Sequence, residues 1–259
     1  NYRRKMSGDA KLTVDADYLR YQTHTRQENR STGYLPPRIF QAEDTLRGTL
    51  PTGINIYSLK VDYTHPNVLG YTFSAGAKSS LTNTDNLADY VLYAPGTVTN
   101  DYDKSNHFLY QEQISAAYVN FSREYKYLSV QAGLRGEHTL SDGHQLGNVR
   151  KPDSSFRRTY TNLFPTFFFN YKTDSAGTHV IGLNYGRRID RPYYQDLNPY
   201  ISPMDKFTYY TGNPFLRPAF NQSVQLSHTY RNRLSTILSY CRSIDDVNET
   251  IEIKDGIYY

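Results

Sequence analysis

The chain has 259 residues, with 29 Lys and Arg against 25 Asp and Glu and a formal charge of +4; at about 150 residues per domain this allows one or two domains, and all-β barrels reach such a length as one. Tyr (26) and Phe (12) carry much of the apolar mass while mean hydropathy is −0.69, an aromatic content that excludes intrinsic disorder. No run approaches the 18 or more apolar residues of a membrane helix, and the clusters Arg3-Arg4-Lys5, Arg157-Arg158 and Arg187-Arg188 are too short for the basic stripe of a nucleic-acid binder.

Strict apolar/polar alternation, the period-2 mark of a strand with two unlike faces, recurs along the chain. Leu12, Val14, Ala16 and Tyr18 alternate with Lys11, Thr13, Asp15 and Asp17. Tyr57, Leu59, Val61 and Tyr63 oppose Ser58, Lys60 and Asp62, and Leu69, Tyr71, Phe73, Ala75 and Ala77 oppose Gly70, Thr72, Ser74, Gly76 and Lys78. A less regular strand follows at about 107–121. Leu128, Val130, Ala132 and Leu134 then oppose Ser129, Gln131, Gly133 and Arg135. Leu163, Pro165, Phe167, Phe169 and Tyr171 form the next apolar face, with Phe164 and Phe168 interrupting its polar partner. After a strand at about 178–188, Val224, Leu226, His228 and Tyr230 oppose Ser223, Gln225, Ser227 and Thr229, and a last strand falls within about 234–253. The sum is roughly nine strands.

The connections alternate long (about 24–52, 83–106, 140–159 and 189–221) and short (64–68, 122–126, 173–177 and 231–233). In an antiparallel meander all long connections then lie at one end and all tight turns at the other, the asymmetry of outer-membrane barrels. A soluble β-sandwich also alternates, but its strands average about 5–6 residues; these reach the length needed to cross a bilayer at a tilt. The polar faces are Ser, Thr, Gly, Asn and Gln rather than Lys and Glu. Tyr18, Tyr57, Tyr63, Tyr71, Tyr118, Tyr171, Tyr185 and Tyr230 are expected near the ends of the apolar faces, as an aromatic girdle requires. The expected fold class is therefore all-β, an antiparallel up-and-down meander forming part of a transmembrane barrel, with residues 1–259 as one partial-barrel domain.

Residues Leu183 to Tyr200, reading Leu-Asn-Tyr-Gly-Arg-Arg-Ile-Asp-Arg-Pro-Tyr-Tyr-Gln-Asp-Leu-Asn-Pro-Tyr, and then Gly212-Asn213-Pro214-Phe215-Leu216-Arg217-Pro218, resemble the barrel signature of TonB-dependent outer-membrane receptors of the outer-membrane β-barrel family. Val14–Leu19, Gln131–Glu137 and Leu163-Phe164-Pro165 resemble strand sequences of the same family. The resemblance implies a large barrel, typically of 22 strands around a plug, that imports a ligand across the outer membrane with energy passed through TonB. These residues contain no plug and no TonB-box, and start without an initiator Met or a targeting signal, so a piece of a longer protein is expected, with unpaired edge strands open to pairing with another chain. Implied partners are outer-membrane lipid, the TonB system, a plug domain and an unidentified imported ligand.

Ligand contact is expected on the long-connection side, best at 189–221. Arg188 and Arg191 are planar donors, Asp190, Asp196 and Asn198 acceptors, and Tyr193 and Tyr194 aromatic platforms, a mixture suited to a glycan, peptide or chelate. Pro192, Pro199, Pro203, Pro214 and Pro218 fix turns there, and a role in building the loop outweighs direct contact. Arg187, at the strand end, is expected on the lipid side. No nucleophile elbow, zincin helix or phosphate loop occurs, so neither catalysis nor a cofactor is expected; Glu137, His138, Asp142 and His144 are read as a solvated loop cluster rather than a metal site. The competing readings are a soluble all-β ligand-binding or adhesion module and a passive porin-like barrel.

Overall fold

A computed structural model describes residues 1–254, 257 and 258; residues 255, 256 and 259 of the expected single domain lie outside it. The elements run β1 (Tyr2–Lys5), β2 (Lys11–Leu35), β3 (Ile39–Val68), β4 (Tyr71–Ala94), β5 (Thr97–Asn100), β6 (Asn106–Glu124), β7 (Leu128–Leu146), β8 (Ser154–Lys172), β9 (His179–Asp190), α1 (Tyr194–Leu197), β10 (Ile201–Pro203), β11 (Tyr209–Thr211), β12 (Ala219–Tyr230), β13 (Leu234–Ile244), β14 (Ile253–Lys254) and β15 (Ile257–Tyr258). One antiparallel sheet holds eleven of these strands, in the order β1-β2-β3-β4-β6-β7-β8-β9-β12-β13 with β5 attached to β4, while β10 pairs with β11 and β14 with β15 in two separate sheets. The nine expected strands are β2, β3, β4, β6, β7, β8, β9, β12 and β13, each hydrogen-bonded to its sequence neighbour. The wall is open, ending at β1 and β13.

The tight turns lie at the expected end, but the first is displaced: residues 64–68 belong to β3, and Leu69 and Gly70, expected to open the next strand, form the turn itself. Leu69 and Gly70, the two residues between β3 and β4, both have positive φ, the backbone that a two-residue hairpin turn of matching twist demands, and so do Arg231 and Asn232 in the three-residue β12–β13 turn. The long ends need correction. Residues 24–52 are not a loop: β2 runs to Leu35 and β3 starts at Ile39, with pairing continuous from Lys11↔Thr64 to Leu35↔Ile39 apart from one bulge at Gly33/Tyr34. Likewise β4 runs to Ala94, β7 to Leu146 and β8 starts at Ser154. Beyond the bilayer both faces of a strand meet water, so alternation disappears from the sequence while backbone pairing continues. Of the long connections only 189–221 is a true excursion.

Register explains the apolar faces. Val14 sits opposite Val61, Val61 opposite Ala77, Ala77 opposite Ala117, Val119 opposite Leu134, Leu134 opposite Pro165, Phe167 opposite Tyr185, Tyr185 opposite Val224 and Val224 opposite Tyr240. Because paired residues share a face, the alternating stripes fuse into one outer apolar field across all nine strands. Tyr18 and Tyr57 stack at one border, centroids 5.0 Å apart, and Tyr63, Tyr71, Tyr171 and Tyr230 stand at the other, toward the tight turns. From Tyr57 to Tyr63 is roughly 20 Å of strand at about 3.3 Å per residue. Tyr118 is a correction: it projects to the inner face, where its hydroxyl donates to Asp62.

Candidate functional site

The buried side chains gather on the inner face at its loop end. Leu46, Ala88, Tyr90 and Tyr200 make one cluster, with Leu50 and Leu92 against it; Phe108, Tyr110 and Leu197 make a second, with Phe156, Tyr194 and Leu216. Leu197 and Tyr200 come from the 189–221 connection, the other buried members from β3, β4 and β6. The connection thus folds inward onto an aromatic seat. Gly48 helps form it: a Cβ there would meet the Tyr90 ring at 2.5 Å, so only glycine lets that ring lie flat on the strand.

Short polar bonds shape the connection. The Asp196 carboxylate accepts the Tyr193 backbone N–H at 3.1 Å, closing the single turn of α1, and the Tyr210 hydroxyl at 3.0 Å. Backbone N–H groups of Gly212 and Asn213 donate to the carbonyls of Asn198 and Asp196 at 3.1 and 2.6 Å. Asp205 accepts the N–H groups of Phe207 and Thr208 at 2.7 Å each, which holds its carboxyl below the usual range and turns β10 into β11. Burial, reinforced by its bond to Asp196, pushes the Tyr210 phenol up to about 12. Burial first, and the neighbouring Tyr90 next, raise the Tyr200 phenol further still.

Anchors to the wall are spread widely. The buried Asn198 amide oxygen accepts from the Asn106 side chain at 3.1 Å. Arg191 donates to Glu137 at 2.6 Å and to Thr139 at 3.2 Å, and Arg135 takes the other Glu137 oxygen. Arg158 donates to the Leu216 carbonyl. Gln27 of β2 donates to the Pro203 carbonyl at 2.8 Å while accepting from the Tyr90 hydroxyl at 2.9 Å, and Lys206 pairs with Asp44 of β3 at 2.7 Å.

Among the seven residues expected to meet ligand, Arg191, Asp196, Asn198 and Tyr194 are engaged inward, whereas Arg188, Asp190 and Tyr193 are exposed. Arg187 lies over the Phe220 ring at 4.7 Å and donates to the Leu163 carbonyl at 3.2 Å, where β9 parts from β8 beyond the Thr166↔Gly186 pair. A cleft of 470 Å³ opens there, lined by Tyr118, Arg135, Glu137, Phe164, Arg188 and Arg191 among others. The wall residues that seat the connection, Gln27, Tyr90, Phe108, Tyr110 and Glu137, were not assigned this role from the sequence; the one signal was Phe164 interrupting a polar face, and it is buried at the inner surface. Glu137 and His138 fall on opposite faces, and among the described residues no group of three or more His, Cys, Asp or Glu is placed to hold a metal.

The outer membrane protein beta-barrel family matches residues 4–257. The chain belongs to this family. It is accordingly an outer-membrane protein, and members of this barrel family are typically non-enzymatic. The barrel is similar in fold to the ferric yersiniabactin uptake receptor FyuA from Yersinia pestis (TM-score 0.55, 11% identity, 90% of this chain and 36% of that one). It is also similar to FpvA of P. aeruginosa, solved with heterologous pyoverdines (0.54, 13%, 92% and 31%), and to the ferric-catecholate import receptor Fiu from E. coli K12 (0.50, 11%, 96% and 43%). This family member therefore spans well under half of each of those chains. No curated protein matches it in sequence.

Proposed function

We propose that the chain is a segment of the wall of a TonB-dependent outer-membrane receptor and takes part in ligand uptake. The observation that carries the reading is the inward-folded 189–221 connection: its Leu197 and Tyr200 occupy the inner face at the loop end, where a passive water-filled pore would be lined by solvated side chains. The likeness to three iron-chelate receptors supports the same class of cargo. In this reading Arg188, Asp190 and Tyr193 are presented to ligand, and Arg191, Tyr194, Asp196 and Asn198 hold the loop that presents them. TonB and a plug domain act on the wall within the full-length protein.

The test is uptake by cells expressing the complete reading frame that contains this segment. A panel of radiolabelled ferric siderophores and a small uncharged sugar are offered with and without a protonophore that collapses the inner-membrane gradient. Accumulation of a ferric chelate that stops with the protonophore supports the receptor. Sugar entry indifferent to the protonophore, with no chelate accumulated, replaces it with the porin-like barrel.

A further inference from the structure

At the tight-turn border of the outer face the structure carries a feature that neither the seat nor the connection uses. Arg123, the penultimate residue of β6, holds its guanidinium between two tyrosine rings, 4.7 Å from the centroid of Tyr71 and 4.6 Å from that of Tyr125. The β6–β7 turn adds Lys126, whose ammonium lies 5.1 Å from the Tyr127 centroid. The turn is fixed by Tyr125 N–H to the Leu128 carbonyl at 2.6 Å and by Lys172 N–H to the Tyr127 carbonyl at 2.8 Å. Together with Leu128 and Val130 these side chains line a cleft of 620 Å³.

Three properties of the cleft point to one kind of ligand. No Asp or Glu lines it, and among the described residues neither Arg123 nor Lys126 enters an ion pair; Glu124, next in sequence, projects by strand alternation to the inner face. Its depth in the membrane is set by the register: Tyr71 and the Arg123–Val130 rung lie one step beyond Phe73 and Phe121, whose rings meet at 5.1 Å, and Leu128 opposite Tyr171 closes the apolar field one step further on. Its chemistry is split across the strands, with the two cations on tyrosine platforms along β6 and the turn and the aliphatic side chains on β7, where Val130 shares the rung of Arg123 and Leu128 lies one step nearer the turn. Tight turns of outer-membrane barrels face the periplasm, so the cations stand at the phosphate level of the inner leaflet.

We propose that this cleft binds one glycerophospholipid of the periplasmic leaflet. The phosphate lies between Arg123 and Lys126, and an acyl chain lies along Leu128, Val130 and Phe121. With two cations and no carboxylate, the site prefers a headgroup of net negative charge over one that carries its own ammonium. The site is independent of which cargo, if any, the receptor imports.

The test uses the full 259-residue chain folded in non-ionic detergent micelles, with retained lipid counted by native mass spectrometry during titration with phosphatidylglycerol, phosphatidylethanolamine and diacylglycerol. Each basic residue near a charged interface contributes about fivefold in affinity, so Arg123→Gln with Lys126→Gln lowers retention of phosphatidylglycerol about thirtyfold. Arg150→Gln, a basic position at the opposite end, leaves it unchanged. Lys126→Gln alone, with β-structure checked by circular dichroism, lowers it about fivefold and keeps the test decisive if the double variant does not fold. Equal retention of diacylglycerol and phosphatidylglycerol, retention unchanged in the Lys126 variant, or displacement of the lipid by millimolar inorganic phosphate would each overturn the proposal.

Discussion

Removing the Tyr200 ring tests whether the connection is held by its aromatic seat. The side chain is only 7% exposed, packed among Leu46, Ala88 and Tyr90, with its ring 6.4 Å from that of Tyr90. A Tyr side chain buries about 150–250 Å², worth roughly 4–6 kcal/mol at about 25 cal/mol per Å² as an upper figure; aromatic-to-alanine changes in cores cost about 3–5 kcal/mol. Taking about 4 kcal/mol, Tyr200→Ala raises the fraction of molecules with an opened connection about a thousandfold. Tyr200→Phe separates ring from hydroxyl. That hydroxyl is buried without a hydrogen-bond partner among the described residues, and an orphaned buried group costs about 1–3 kcal/mol, so the phenylalanine variant holds the connection as well as or better than the parent. The assay is limited proteolysis in micelles, following cleavage within 191–216 while the strands stay protected. Cleavage of Tyr200→Ala within threefold of the parent rate, or faster cleavage of Tyr200→Phe, would refute the reasoning.

The remaining predictions address charge, protonation and the lipid face. Glu137→Gln leaves Arg135 and Arg191 facing each other without their shared carboxylate; breaking a buried pair costs about 3–5 kcal/mol, discounted to roughly 2 for the exposure of the arginines, and shows as faster cleavage of the same connection. Tyr210 and Tyr200 have phenol pKa values raised above the ordinary value of about 10, so the stability they lend is complete below pH 10. It falls as pH rises toward 12 because the unfolded connection loses its protons first; proteolytic protection measured between pH 8 and 12 tracks this, and protection that is flat to pH 12 counts against it. Val61→Lys or Phe73→Lys, each on the outer apolar field, costs about 2–4 kcal/mol in a bilayer, read as a lower yield of heat-modifiable, membrane-assembled protein; Lys60→Ala, on the inner face, leaves that yield unchanged.

What the sequence makes legible follows where water ends. Between Tyr57 and Tyr63 one face of β3 meets lipid and the other the interior, and the residues alternate accordingly; between Thr25 and Ser31 both faces of β2 are polar, and the strand is invisible to periodicity although it pairs residue by residue with β3. Tyr118 shows the opposite limit: a tyrosine near the end of an apolar run reads as girdle, but its partner Asp62 lies 56 positions away and only register brings the two together. The connection was recognisable from its Arg, Asp, Asn and Tyr residues and its prolines. That Arg191 and Asn198 face the wall and Tyr193 faces out depends on Glu137 and Asn106, contacts separated by 54 and 92 positions, which no local pattern encodes.

The path of the 189–221 connection has a mechanical consequence. It leaves β9 and returns to β12 near one end of the wall, yet it grips Gln27 of β2 and Asp44 of β3 near the other. Neighbouring strands are held by their ladders, but among the described residues no ladder joins β2 or β3 directly to β9 or β12. Here a chord does so, stretched across the arc like a bowstring and tied at contacts 162 and 176 residues apart in the chain. The tether thus couples distant strands of this segment at its loop end, and cutting Gln27–Pro203 and Lys206–Asp44 together is expected to let the span between β2 and β12 widen there while the tight-turn end keeps its spacing.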